Sequence, residues 1–124
     1  MSQRGAARHR QSPTVFYGAI GLAVSLLLFA AGWLLLPLPW WVLWLTAAGV
    51  VTFALYGYDK TQARRDGGRV PEVVLHGMSL AGGVVGGWLG RAVFRHKTLH
   101  RSFLVVLIAA SLLWAAIVAW QVLG

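Results

Sequence analysis

Apolar residues run through this chain in long uncharged blocks, and every charged side chain is confined to the segments outside them. Thr14 to Leu36 is a block of 23 residues without Asp, Glu, Lys or Arg, against the roughly 20 that a membrane-spanning helix needs. Pro37-Leu38-Pro39 ends it, because proline lacks a backbone donor and pushes the residue before it out of helical conformation. The next apolar block runs from Trp40 to Gly57, so the break leaves room only for a tight hairpin. Trp33, Trp40, Trp41 and Trp44 gather around it, as in the aromatic belt at a membrane–water interface. The last block, Ser102 to Leu123, has 22 residues and is again uncharged. Ala30-Ala31-Gly32 looks like a signal-peptide cleavage site, but the apolar run is too long for a signal core and continues past it. The pattern predicts an all-α membrane protein with three spanning helices.

A fourth apolar block is of a different kind. Pro71-Glu72 is a good helix start, since proline suits the first turn and the acid complements the N-terminal dipole. Val73 to Gly90 would then rise about 27 Å as a helix, just short of the hydrocarbon core. Six of its residues are glycine. The four-residue spacing of Gly82, Gly86 and Gly90, and of Gly83 and Gly87, clears one helix flank for close packing. Glycine also weakens a helix by about 0.8–1 kcal/mol relative to alanine, so the block can instead bend and return to the side it entered. Two architectures follow: three spans plus a glycine-rich re-entrant or interfacial helix, or a four-span bundle. Because the glycine flank exceeds what one small bundle covers, a homo-oligomer is a further expectation.

Charge separates the two. The chain has a hydrophobic fraction of 58% and 11% charged residues, with a net charge of +8, whereas soluble domains carry about a quarter charged residues. The basic residues fall in residues 1–13, in 59–72 and in 91–101. If residues 73–90 return, all 11 Lys and Arg share one face, and the positive-inside rule makes that face cytoplasmic, with the N-terminus. If they cross, Arg91, Arg95, Lys97 and Arg101 lie on the opposite side. The re-entrant architecture is therefore preferred, with residues 1–13 expected to form a disordered basic cytoplasmic tail and 14–124 the helical transmembrane domain. Such basic loops suit anionic lipid head groups; with no basic-aromatic groove, they argue against direct nucleic-acid binding.

The candidate chemistry lies between the second block and the last. Asp59, Lys60, Arg69, Glu72, Arg95, His96 and Lys97 gather at the expected cytoplasmic mouth. They read either as a polar collar that fixes the bundle, or as a pocket for a head group or anionic ligand. In the pocket reading Lys97, Arg95 and Arg69 are donors, and Asp59 or Glu72 is the orienting base. His96 and His100 stand four apart, a spacing that suits a metal, but no third ligand is near and Arg95, Lys97 and Arg101 would repel a cation. His76, inside the glycine-rich block, reads as a proton-relay group or as a plain interhelical hydrogen-bonder. No cysteine is present, which excludes thiolate metal sites and cysteine nucleophiles. The glycine run lacks the Gly-Lys-Ser/Thr ending of a phosphate loop, so no cofactor is implied.

Over Tyr56 to Phe103 the chain resembles one bacterial family, domain of unknown function 1294. The resemblance is carried by Tyr56-Gly57-Tyr58-Asp59-Lys60-Thr61-Gln62-Ala63, Arg69-Val70-Pro71-Glu72-Val73-Val74-Leu75, Gly82-Gly83-Val84-Val85-Gly86 and Phe94-Arg95-His96-Lys97-Thr98. The last block closes on Phe103 after a gap of four residues where the family pattern has three. The resemblance implies a small bacterial inner-membrane protein whose activity is not established. Some members carry an N-terminal cold-shock domain; with 13 residues ahead of its first block, this chain is expected to lack it. The expected function is that of a membrane scaffold or interaction protein rather than an enzyme. The alternative is a small transporter or lipid-modifying enzyme that uses Asp59, Glu72 and His96.

Overall fold

The structure is a computed structural model that describes residues 13–64, 70–94 and 101–124. It is all-helical over these residues. Helix α1 is Pro13–Leu35 and α2 is Trp40–Arg64; α3 is the short Glu72–Met78, followed by a π-helical turn, Ser79–Gly83. Helix α4 is Val84–Val93 and α5 is Arg101–Leu123. Four stretches are long and apolar enough to cross a membrane: Thr14–Leu35, Trp40–Gln62, Glu72–Val93 and Arg101–Leu123. Length and composition thus fit both architectures; the contacts separate them.

Helices α1 and α2 pack antiparallel after the proline break. The Tyr17 and Tyr58 rings lie 5.8 Å apart, Gly21 faces Leu55, and Gly32 faces Leu43. Helix α5 is likewise antiparallel to α2. Phe103 meets Tyr56 edge-on at 5.9 Å, and at the other end Trp40 Nε1 donates to Gln121 Oε1 at 3.4 Å. Helix α2 continues to Arg64, beyond the Gly57 boundary expected from the apolar block. There Thr61 Oγ1 donates to the Gly57 carbonyl at 3.0 Å and Gln62 Nε2 to Tyr58 Oη at 2.8 Å, bonds that loss of hydrophobicity does not reveal.

The glycine-rich stretch folds back on itself. Its descending leg moves along α2 from Asp59 toward Trp44. The Val70 N–H donates to Asp59 Oδ1, Val74, Leu75 and Met78 pack with Val51 and Leu55, and Trp44 Nε1 donates to the Ala81 carbonyl. The ascending leg retraces that path. Gly83 lies on Ala48 and Thr52, Gly86 on Gly49, and Gly90 on Tyr56. The Phe94 ring then covers Gly57 and sits 5.1 Å from Phe53. In a straight helix Val70 and Phe94 would stand about 36 Å apart; here they touch α2 at Asp59 and Gly57, within one turn of each other. The legs also meet each other, with Ser79 against Gly87. The fold is therefore three long helices around a helical hairpin that enters and leaves at one end.

Reversal is made at Gly82, whose φ of 138° no L side chain adopts comfortably. A reversal frees backbone carbonyls, which in an apolar surrounding must find donors. Two tryptophans supply them: Trp44 Nε1 donates to Ala81 O at 2.6 Å and Trp114 Nε1 to Leu80 O at 2.8 Å. Irregular backbone at depth also has to be covered by protein. The hairpin meets that condition: 56% of its apolar window is buried, against 11% for α1, so it lies at the centre and α1 at the periphery.

Candidate functional site

The two ends of the hairpin, the end of α2 and the start of α5 meet at one end of the bundle, and the described polar residues of interest collect there. Asp59 is 3% exposed although it is ionisable. Its Oδ1 accepts the N–H of Val70, itself fully buried, at 3.1 Å. That N–H immediately precedes the helix start at Pro71, where no intrahelical partner exists for it. Asp59 thus ties the entrance of the hairpin to α2. Glu72 occupies the first turn of α3 and is half-buried. Lys60 is half-buried on α2, and Arg101 is exposed at the start of α5.

Beneath this mouth lies an aromatic and hydroxyl layer. Tyr56, 1% exposed, is wedged between the legs, with Gly90 against its ring and Phe103 edge-on to it. His76 rests on the other side of Phe103, ring centroids 4.5 Å apart. Ser79 Oγ spends its hydrogen on the Leu75 carbonyl at 3.0 Å. Tyr56 Oη and Thr52 Oγ1 are buried without a hydrogen-bond partner, as is Nε of Arg91 on α4.

Of the sequence-predicted site, Asp59, Lys60 and Glu72 are brought to this end. Arg69, Arg95, His96 and Lys97 lie outside the described residues, as do His100 and residues 1–12 of the expected tail. The glycines divide their work. Gly83, Gly86 and Gly90 seat the ascending leg on α2, Gly87 admits Leu107 and Ser79, and Gly82 makes the turn. All five are buried among the chain's own helices.

Sequence reasoning missed the part played in the turn by Trp44, placed in the interfacial belt, and by Trp114 of the last apolar block. The available signal was physical: a chain that turns back inside lipid needs donors for its loosened carbonyls, and indole N–H groups are the ones its helices carry. The groove of about 350 Å³ between α2 and α4 is lined by Leu45, Val50, Phe53, Val85 and Leu89 with Thr46 and two glycines. It contains no titratable side chain, so its chemistry is that of a lipid-facing surface. Among the described residues no three His, Asp or Glu side chains converge.

These features define an all-α membrane protein built around an inserted helical hairpin. Residues 49–103 match the model of the family described as a protein of unknown function (DUF1294), the same family that the sequence motifs resemble. The matched stretch begins at Gly49, where Gly86 is seated, and ends at Phe103, which closes over Tyr56. The uncharacterized protein YsdA of Bacillus subtilis (strain 168) is 41% identical over 51 residues, covering 41% of this chain and 57% of that relative. The chain therefore spans little more than half the length of the curated relative it matches. No solved structure matches it.

Proposed function

We propose that the protein is a multi-pass protein of the bacterial inner membrane, with its N-terminus in the cytoplasm, that acts as a scaffold or interaction protein. Its working surface is a basic collar that contacts anionic lipid head groups or an acidic partner. The observation that supports this is the return of the hairpin to the Asp59 end of α2. The chain's Lys and Arg precede α1, lie in the last turns of α2 and the segment that follows it, or run from the last turn of α4 to the first residue of α5, and all three groups attach at that end. Engagement of Asp59 by the Val70 N–H favours a structural part for this acid over a transport or catalytic one.

Two measurements test the reading. Alkaline phosphatase fused at the C-terminus should be active and green fluorescent protein dark; the reverse pattern contradicts the orientation. In reconstituted membranes, Arg95→Gln/Lys97→Gln/Arg101→Gln should lose selectivity for spin-labelled phosphatidylglycerol over phosphatidylcholine. Unchanged selectivity contradicts the collar.

A further inference from the structure

A cleft of about 530 Å³ opens between α1 and α2. Phe16, Ile20, Val24 and Leu28, spaced one turn apart on α1, form one wall, and Val50 and Ala54 of α2 the other. All six are exposed, so the cleft is open along its side. Unlike the groove between α2 and α4, it ends on hydroxyls. Tyr17 and Tyr58 line it at the Asp59 end, their rings 5.8 Å apart. Tyr58 Oη accepts the Gln62 Nε2–H at 2.8 Å, so its own hydrogen is not spent on that bond. Apolar walls with a few polar groups converging at one end are the form of a small-molecule site.

Size and charge select the occupant. Helix α1 rises about 17 Å from Tyr17 to Leu28, and α2 about 12 Å from Val50 to Tyr58. One leaflet of hydrocarbon is about 15 Å deep. Spread over that length, the volume gives a cross-section of about 30–45 Å², far below the roughly 80 Å² of a helix about 10 Å across. A helix of a second copy is therefore too wide, whereas one alkyl chain fits. No charged residue occurs from Thr14 to Tyr58, but Lys60 and Arg64 stand in the last turns of α2 and three arginines precede α1. A chain lying in the cleft has its head group at the end that carries hydroxyls and cations, which suits an anion.

We propose that this cleft holds one acyl chain of an anionic phospholipid from the leaflet at the Asp59 end, with its phosphate at the Tyr17 and Tyr58 hydroxyls. The site does not use Arg95, Lys97 or Arg101. The variant that neutralises those three should keep the lipid, so the cleft and the collar fail separately.

The test gives full-length protein in detergent either dioleoylphosphatidylglycerol or dioleoylphosphatidylcholine and counts retained lipid by native mass spectrometry. Wild type should retain one phosphatidylglycerol per chain and less phosphatidylcholine. Ala54→Trp, which fills the cleft from an exposed position, should weaken retention about fivefold or more. Tyr58→Phe should weaken it about two- to tenfold. Val105→Trp, on the exposed face of α5 outside the cleft, should match wild type. Should Ala54→Trp fail to fold, Val24→Trp fills the cleft from the opposite wall. Equal retention of the two lipids, or wild-type retention in the filled variant, overturns the proposal. So does a dimer that the filled variant breaks, since that would give the cleft to a second copy.

Discussion

Gly86 and Gly49 meet backbone to backbone: a β-carbon on Gly86 would run into the carbonyl of Gly49. In lipid the hydrophobic effect does not press helices together, so close van der Waals contact of this kind carries much of the packing. Gly86→Ala is expected to destabilise the protein by about 1–3 kcal/mol, the usual cost of overpacking. Gly77 is the control, since nothing lies within 4 Å of its β-position. Gly77→Ala should be neutral or stabilising by up to about 1 kcal/mol through helix propensity. Reversible unfolding in mixed micelles measures both.

The turn should be the most sensitive glycine. At Gly82 an alanine would adopt φ near 138° and press on the Trp44 indole, 2.8 Å from its Cδ1. Strain of this kind costs about 1–3 kcal/mol before any clash is counted. Gly82→Ala is expected to lower the yield of folded protein more than Gly77→Ala does, read by gel filtration in detergent.

Trp44 and Trp114 should behave as a pair. Trp44→Phe and Trp114→Phe each orphan one carbonyl of the turn, at a cost of about 1–3 kcal/mol for an unmet buried group. Hydrogen exchange in the turn, Ser79–Gly83, is expected to accelerate in either variant. No change in exchange there would show that the indoles only fill space.

Asp59 tests the entrance tie. Asp59→Asn keeps an oxygen acceptor for the Val70 N–H and should leave exchange at Val70 nearly unchanged. Asp59→Ala removes the acceptor and should raise that exchange about tenfold or more. An identical response from the two variants would contradict the assigned role.

Much of the fold was legible because spanning helices are written in long apolar blocks and their ends in proline and charge. The break at Pro37–Pro39 and the helix start at Pro71-Glu72 were both visible in that way. The return of the fourth block was readable only indirectly, from where Arg91, Arg95, Lys97 and Arg101 would otherwise fall. Which glycine turns was not readable. Gly82 and Gly86 have the same spacing as Gly86 and Gly90, and glycine permits both a close approach and a positive φ. Only the contacts of Trp44 and Trp114 with the carbonyls at Leu80 and Ala81 decide it. The bond from the Val70 backbone N–H to Asp59 was not readable either, because counting charges finds cations and a backbone donor carries no such mark.

Lys60 and Arg101 flank the hairpin, one near the end of α2 and the other at the start of α5. The chain has no cysteine, so Lys60→Cys and Arg101→Cys each introduce a single thiol. Labelling with a membrane-impermeant maleimide, in intact spheroplasts and then in opened membranes, reports the side of each. A hairpin that enters and leaves at one face predicts that both are protected in spheroplasts and both react once the membrane is opened. One thiol reacting from outside and the other only after opening would mean that residues 72–93 cross, and would contradict the fold as a membrane architecture.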